Sequence, residues 1–157
     1  MSAVEDRLAR LGLAVPDVAA PVAAYVPAVQ EGRLVFTSGQ LPLVSGALVA
    51  TGKVGEGAGL IGPEAAKALA QTCALNAIAA VRSVVGDLDR VTRVVKVVGF
   101  VACDPAFTGQ PAVVNGASEL LGAAFGDAGV HARSAVGVCA LPLDAPVEVE
   151  ITVAVGD

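Results

Sequence analysis

Hydrophobic positions along the chain repeat with two periods. From Ala66 to Val84 the apolar residues Ala66, Leu69, Ala70, Cys73, Ala77, Ala80, Val81 and Val84 follow i, i+3, i+4, i+7 spacing, the mark of a helix with one buried stripe. Gly62-Pro63-Glu64 opens this helix with proline in the first turn and an acid at the positive end of the dipole. Gly86-Asp87 ends it just after Val85. A second helix spans Gly109 to Phe125, closed by Gly126. Ser2 to Leu11 forms a short helix, with Ser2 as N-cap, Glu5 three residues on and Gly12 as the stop. Pro16 and Pro21 then mark an extended crossing segment.

The other period is two. In Val147 to Val155, Val147, Val149, Ile151 and Val153 fall on one face and Glu148, Glu150 and Thr152 on the other. Tyr25 to Val29 and Arg33 to Ser38 make a hairpin about Glu31-Gly32. Val91 to Val101 is β-branched and nearly continuous, which predicts a strand covered on both faces. Arg133 to Leu141 is a further strand, followed by a loop over Pro142 to Pro146. The glycines between Gly39 and Gly62 predict an irregular stretch without a packed core, with one short strand near Leu48 to Val54. The order α-ββ(β)-α-β-α-ββ predicts an α+β layout, two helices on one face of a mixed sheet. It spans residues 1–157 as a single domain, with an N-terminal helical extension over 1–20 and a glycine-rich loop over 39–62.

Composition adds an expectation of assembly. Of 157 residues, 55% are hydrophobic and 16% charged, more apolar surface than one chain of this size hides. The longest apolar stretch, Ala68 to Val85, is broken by Gln71, Thr72, Asn76, Arg82 and Ser83, so no clean membrane span is expected. The start Met-Ser-Ala-Val-Glu-Asp-Arg lacks the pattern of a signal peptide, and a cytoplasmic location is expected. A net charge of −5 without a run of Lys or Arg argues against nucleic acid as partner. Cys73, Cys103 and Cys139 are odd in number and widely spaced, as for free thiols in a reducing compartment. His131 is the single histidine and has no partner at ligand spacing, so no metal site is expected.

Few residues are left to carry chemistry. Glu148 sits on the polar face of the last strand, where it is either solvated or, inside an oligomer interface, able to accept a proton or orient a water. Arg133 is the one Lys or Arg after Lys96. Its five-donor fork either clamps a small carboxylate or makes a rim salt bridge. Asn115-Gly116 breaks helix propensity inside a helical pattern, which marks a site or a later helix start with Asn115 as N-cap. In Thr37-Ser38-Gly39-Gln40 the glycine lets the backbone approach a ligand closely, or simply ends the strand. Tyr25, the one tyrosine, reads as core or ligand contact. Ser38, Ser118 and Ser134 show no histidine pattern for a catalytic triad. Gly55-Glu56-Gly57-Ala58-Gly59 lacks the buried strand and spacing of a dinucleotide loop.

Three segments together resemble the reactive-intermediate imine deaminase family, also called RidA-like or YjgF-like. They are L-V-F-T-S-G-Q-L-P (Leu34 to Pro42), R-V-V-K-V-V-G-F-V (Arg93 to Val101) followed by Val114 to Ala117, and A-R-S-A-V-G-V-C-A-L-P (Ala132 to Pro142) followed by V-E-V-E-I (Val147 to Ile151). The resemblance covers residues 20 to 156 and points to a divergent branch with an N-terminal extension. It implies a homotrimer of chorismate-mutase-like subunits with pockets between neighbours. It implies hydrolysis of 2-imino acids, the products of pyridoxal-phosphate dehydratases, to 2-oxo acids and ammonia, with no metal or organic cofactor. Carried onto this chain, Arg133 binds the substrate carboxylate. Glu148 positions or activates water, helped by the backbone carbonyl of Ala135. Tyr25, Ser38, Gly39 and Asn115 line the pocket. His131 stands where the family often has proline, and Ala135 replaces a common cysteine. A non-catalytic trimeric binder of small carboxylates that regulates a partner is the alternative; a ribonuclease is disfavoured by the charge.

One geometric expectation is independent of the resemblance. If Arg133 to Leu141 and Val147 to Val155 pair as a hairpin, Glu148 lies opposite Cys139 and ~20 Å along the strand from Arg133 at ~3.3 Å per residue. The two then meet across a subunit boundary, or only where twist and a bulge shorten the path.

Overall fold

The structure is a computed structural model that describes residues 1–18 and 23–157. The elements are α1 (Ala3–Arg10), β1 (Ala28–Glu31), β2 (Leu34–Thr37), β3 (Leu43–Val44), β4 (Ala47–Leu48), α2 (Pro63–Val85), β5 (Val91–Ala102), α3 (Gln110–Phe125), β6 (Ala132–Val138) and β7 (Val147–Val155). Five strands form one sheet in the order β1-β2-β7-β5-β6, and β3 and β4 form a separate hairpin. All pairs of the large sheet are antiparallel except β5–β6, which is parallel. The sheet is therefore mixed, and α2 and α3 pack against one face of it. Pro21 of the expected crossing segment lies outside the described residues.

Alternation explains the core. β7 reads buried at every odd position from Val147 to Val155, and these side chains meet Cys73, Ala77 and Val81 of α2 and Val113, Ala117 and Leu121 of α3 in one cluster. α2 is long and apolar enough to cross a membrane by length and composition. That differs from the sequence expectation, yet eleven of its 23 residues are buried in this core. β5 is covered on one face only, contrary to expectation. Thr92, Arg93 and Val95 are exposed, because among the described residues of one chain none covers the second face there.

Glycine sets two close approaches. A Cβ on Gly99 would lie 2.6 Å from Val114 Cγ1, so α3 rides low over β5. A Cβ on Gly116 would lie on the Lys67 carbonyl, 2.9 Å from its carbon, where α2 and α3 touch backbone to backbone. α3 therefore runs unbroken through Asn115-Gly116 and does not start there.

The glycine-rich stretch is more ordered than its composition suggests. Ser45 and Gly46 both have positive φ, 51° and 81°, which makes the tight turn joining β3 to β4. Asn76 of α2 donates to the carbonyls of Leu41 (2.9 Å) and Leu43 (3.0 Å). The expected strand near Leu48 to Val54 is met only at Leu48, the end of β4. Instead Val54 alone bridges Ile61 and Cys103 and is fully buried, so this stretch does contribute to the core. At the N-terminus, Ser2 and Glu5 form the capping box. The Asp89 carboxylate accepts from the Ala3 and Val4 amides, and Arg82 pairs with Glu5 at 3.0 Å.

Candidate functional site

The predicted residues gather in two groups, not one. The first lies where β2 leaves the sheet. Ser38 donates its amide to the Pro27 carbonyl (2.8 Å) and its hydroxyl to the Val26 carbonyl (2.7 Å), pinning the segment after Tyr25 against the end of β2. Tyr25 is 49% exposed and precedes β1, which begins at Ala28 and not at Tyr25. Gln40 exchanges both backbone hydrogen bonds with Val149, which brings Gly39 beside Glu148. A Cβ on Gly39 would overlap the Glu148 carboxylate and sit 2.8 Å from its Cδ. The glycine is there because the carboxylate occupies its side-chain space.

Glu148 is half-buried on the sheet face opposite the helices. Burial first, and then the charge of Glu150, hold its carboxyl above the usual glutamate range. Burial, and next the charge of Glu148, push the Cys73 thiol well up, so it stays a protonated core side chain.

The second group lies on the edge strand β6 and on α3. Arg133 Nη1 donates to Asn115 Oδ1 at 2.8 Å and to Ser118 Oγ at 3.3 Å, and Nη2 donates to the Pro111 carbonyl at 3.3 Å. Asn115 and Ser118 stand one turn apart on α3 and so grip the same nitrogen. Two of the five guanidinium N–H donors, on Nε and Nη2, have no acceptor among the described residues, enough for a two-point grip on a carboxylate. Ala135 lies two residues further along β6 on the same face, opposite Gly99.

Sequence reasoning missed the link behind this group. Ser118 Oγ is 2.8 Å from His131 Nε2, and His131 Nδ1 is 2.6 Å from the Gly129 carbonyl. The sequence shows no histidine pattern for a triad at Ser118; the contact with His131 arises because α3 and β6 are joined by a short turn, which brings residues 118 and 131 side by side. The available signal was Asn115 and Ser118 at i, i+3, facing the strand that carries Arg133 and, just before it, His131.

The expected hairpin between β6 and β7 does not form. β5 lies between them, with Phe100 opposite both Glu148 and Val136, and Val97 opposite both Ile151 and Arg133. Two strand spacings of ~4.8 Å and three residues of ~3.3 Å put the Arg133 and Glu148 Cα atoms about 14 Å apart. Their side chains also point to opposite faces, Arg133 toward α3 and Glu148 away from the helices. Within one chain they do not share a ligand. The physical reason is the helix between β5 and β6, since a strand-helix-strand unit returns parallel to its first strand.

A family model described as "YjgF/chorismate_mutase-like, putative endoribonuclease" matches residues 5–153. The chain belongs to the YjgF family. Among its relatives is Protein TCP17 of Trypanosoma cruzi, 44% identical over 151 residues that cover 96% of this chain and 92% of the relative. A crystal structure of a protein of unknown function from Agrobacterium tumefaciens superposes with a TM-score of 0.90. It is 39% identical, over 98% of this chain and 93% of that one. E. coli TdcF with bound serine superposes with a TM-score of 0.62 at 25% identity, over 89% of this chain and 94% of that one. The YjgF fold thus accounts for the mixed sheet with α2 and α3 on one face, and the whole-chain match to the Agrobacterium protein extends over nearly the full length.

Proposed function

We propose that this YjgF-family protein hydrolyses small 2-imino or enamine acids to 2-oxo acids and ammonia, in pockets built between three copies of the chain. The observation that carries this reading is the division of the site. One surface offers a carboxylate grip on an edge strand, and another offers a half-buried acid with a raised pKa on an uncovered sheet face. Beside its acids that face exposes large apolar side chains, Val29, Phe36 and Val136 at 52%, 41% and 45% exposure, as expected for a surface that another copy covers. The serine in E. coli TdcF supports a small carboxylate as the ligand class.

In this mechanism Arg133 of one copy holds the substrate carboxylate, with Asn115 fixing the guanidinium. Glu148 of a neighbour takes a proton from water as the oxygen attacks the imine carbon. The resulting carbinolamine collapses when its nitrogen is protonated, and the C–N bond breaks to release ammonia and leave the 2-oxo acid. Tyr25, Ser38, Gly39 and the Ala135 carbonyl line the cleft. An imine is already electrophilic, so one acid-base group contributing ~10²–10⁴-fold, plus positioning, is sufficient. No metal or organic cofactor is called for.

The test is ammonia release from freshly generated 2-iminobutanoate by wild type and by Glu148→Gln. Acceleration by wild type, with a loss of about 10²-fold or more in the variant, supports the reading. A wild type that binds 2-oxobutanoate but never accelerates release makes the protein a carboxylate binder instead.

A further inference from the structure

We propose that His131 is a positioning residue for Arg133, acting through Ser118. The inference rests on the reading above in which Arg133 receives the carboxylate. Its starting point is a chain of four groups: Gly129 carbonyl, His131 ring, Ser118 hydroxyl, Arg133 guanidinium, linked at 2.6, 2.8 and 3.3 Å.

The direction of each bond follows from chemistry. The Gly129 carbonyl can only accept, so Nδ1 of the neutral ring carries the proton and Nε2 is bare. A bare Nε2 accepts, so the Ser118 hydroxyl donates to it. The hydroxyl's one proton is then committed, and its lone pairs face Arg133, whose Nη1 donates. Without the imidazole, a serine inside a helix turns its proton to the carbonyl one turn back, and the oxygen is no longer held toward Nη1. The ring therefore sets which way Ser118 faces, and Ser118 together with Asn115 fixes the plane of the fork. A guanidinium grips a carboxylate at two points only when that plane is fixed.

A serine bonded to a histidine also suggests a nucleophile. The arrangement favours positioning, because the Ser118 oxygen already accepts from Arg133.

The test uses the fact that the chain has one histidine. In ¹⁵N spectra at about pH 8.5, the expected ring is protonated on Nδ1 and bare on Nε2, and Ser118→Ala moves the Nε2 resonance. A ring protonated on Nε2 overturns the proposal, whether or not the protein hydrolyses imines. In kinetics, His131→Phe keeps a ring and loses both bonds, whereas His131→Gln returns an accepting oxygen near the Nε2 position. The expected result is a rise in KM of about 3–10-fold for H131F, the effect of one hydrogen bond, with kcat within twofold and H131Q close to wild type. An unchanged KM in a folded H131F, or labelling of Ser118 by a fluorophosphonate, overturns the proposal. A wild type without imine hydrolysis refutes the proposed function but leaves the spectroscopic result to decide the role of His131.

Discussion

Replacing Gly39 by alanine puts a methyl group where the Glu148 carboxylate lies. The new Cβ would stand 2.8 Å from Glu148 Cδ and 3.1 Å from Cγ. Carbon atoms settle at ~3.5–4.0 Å, so the carboxyl carbon must move by about 1 Å. Gly39 does not use a left-handed backbone, so alanine meets no strain of its own. The atoms that must yield are the far end of a flexible side chain. The stability cost is that of a shifted rotamer, about 0.5–1.5 kcal/mol, or a fall of no more than about 6 °C in Tm at ~2–4 °C per kcal/mol. The cost to chemistry is far larger, because a misplacement of ~1 Å in a reacting group can cost ~10²-fold. The assay pairs thermal unfolding with ammonia release from 2-iminobutanoate. The expected outcome is a Tm close to wild type with kcat reduced by about 10²-fold. A G39A protein with kcat within twofold of wild type would refute the argument that the Glu148 carboxylate must stand where it does.

Two further predictions concern stability. Gly116→Ala gains ~1 kcal/mol of helix propensity but drives a methyl into the Lys67 carbonyl. Overpacking at a backbone contact costs ~1–3 kcal/mol or more. Urea unfolding should therefore show a net loss, and a stabilised variant would contradict the close contact of α2 with α3. Glu148→Gln should be more stable than wild type at neutral pH. The folded-state pKa of Glu148 is raised, so its ionised form opposes folding at neutral pH. That opposition disappears below the ordinary glutamate range, where the carboxyl is protonated in both states. Thermal scans should show the gain at pH 7–8 and its disappearance near pH 4; a loss of stability at neutral pH contradicts the assignment. For the same reason the wild-type rate should fall, as the pH drops, earlier than an ordinary glutamate would dictate.

Local signals were legible and non-local ones were not. α2 and β7 are readable to the residue, because Gly62-Pro63 and Gly86 bracket one and strict alternation defines the other. The capping box of Ser2 and Glu5 is equally plain. The partner of β6 differs from the expected one, because the five-residue loop before β7 resembles a hairpin connection while β5 in fact lies between the two strands. The helix between β5 and β6 was the better guide. The β3–β4 turn was hidden by glycine abundance, because only the pair Ser45-Gly46 among many glycines makes that turn. In the candidate site, Arg133, Asn115 and Glu148 were legible as residues out of keeping with their surroundings. Their division between two surfaces was expected, for a reason the structure replaces. The link from His131 to Ser118 depends on how α3 lies over β6, which no short pattern encodes.

In the proposed trimer Arg133 of one copy and Glu148 of another build each active centre, and an experiment that mixes variants separates the two contributions. Arg133→Ala and Glu148→Gln are each expected to be inactive alone. When equal amounts are unfolded together and refolded, three quarters of randomly assembled cyclic trimers contain both chains, and each of these has one centre of three with both groups intact. The expected recovery is about one quarter of wild-type ammonia release, against the background of either variant alone. Refolded mixtures as inactive as their components, with trimers demonstrably mixed, would show that both groups must come from one chain and would contradict it.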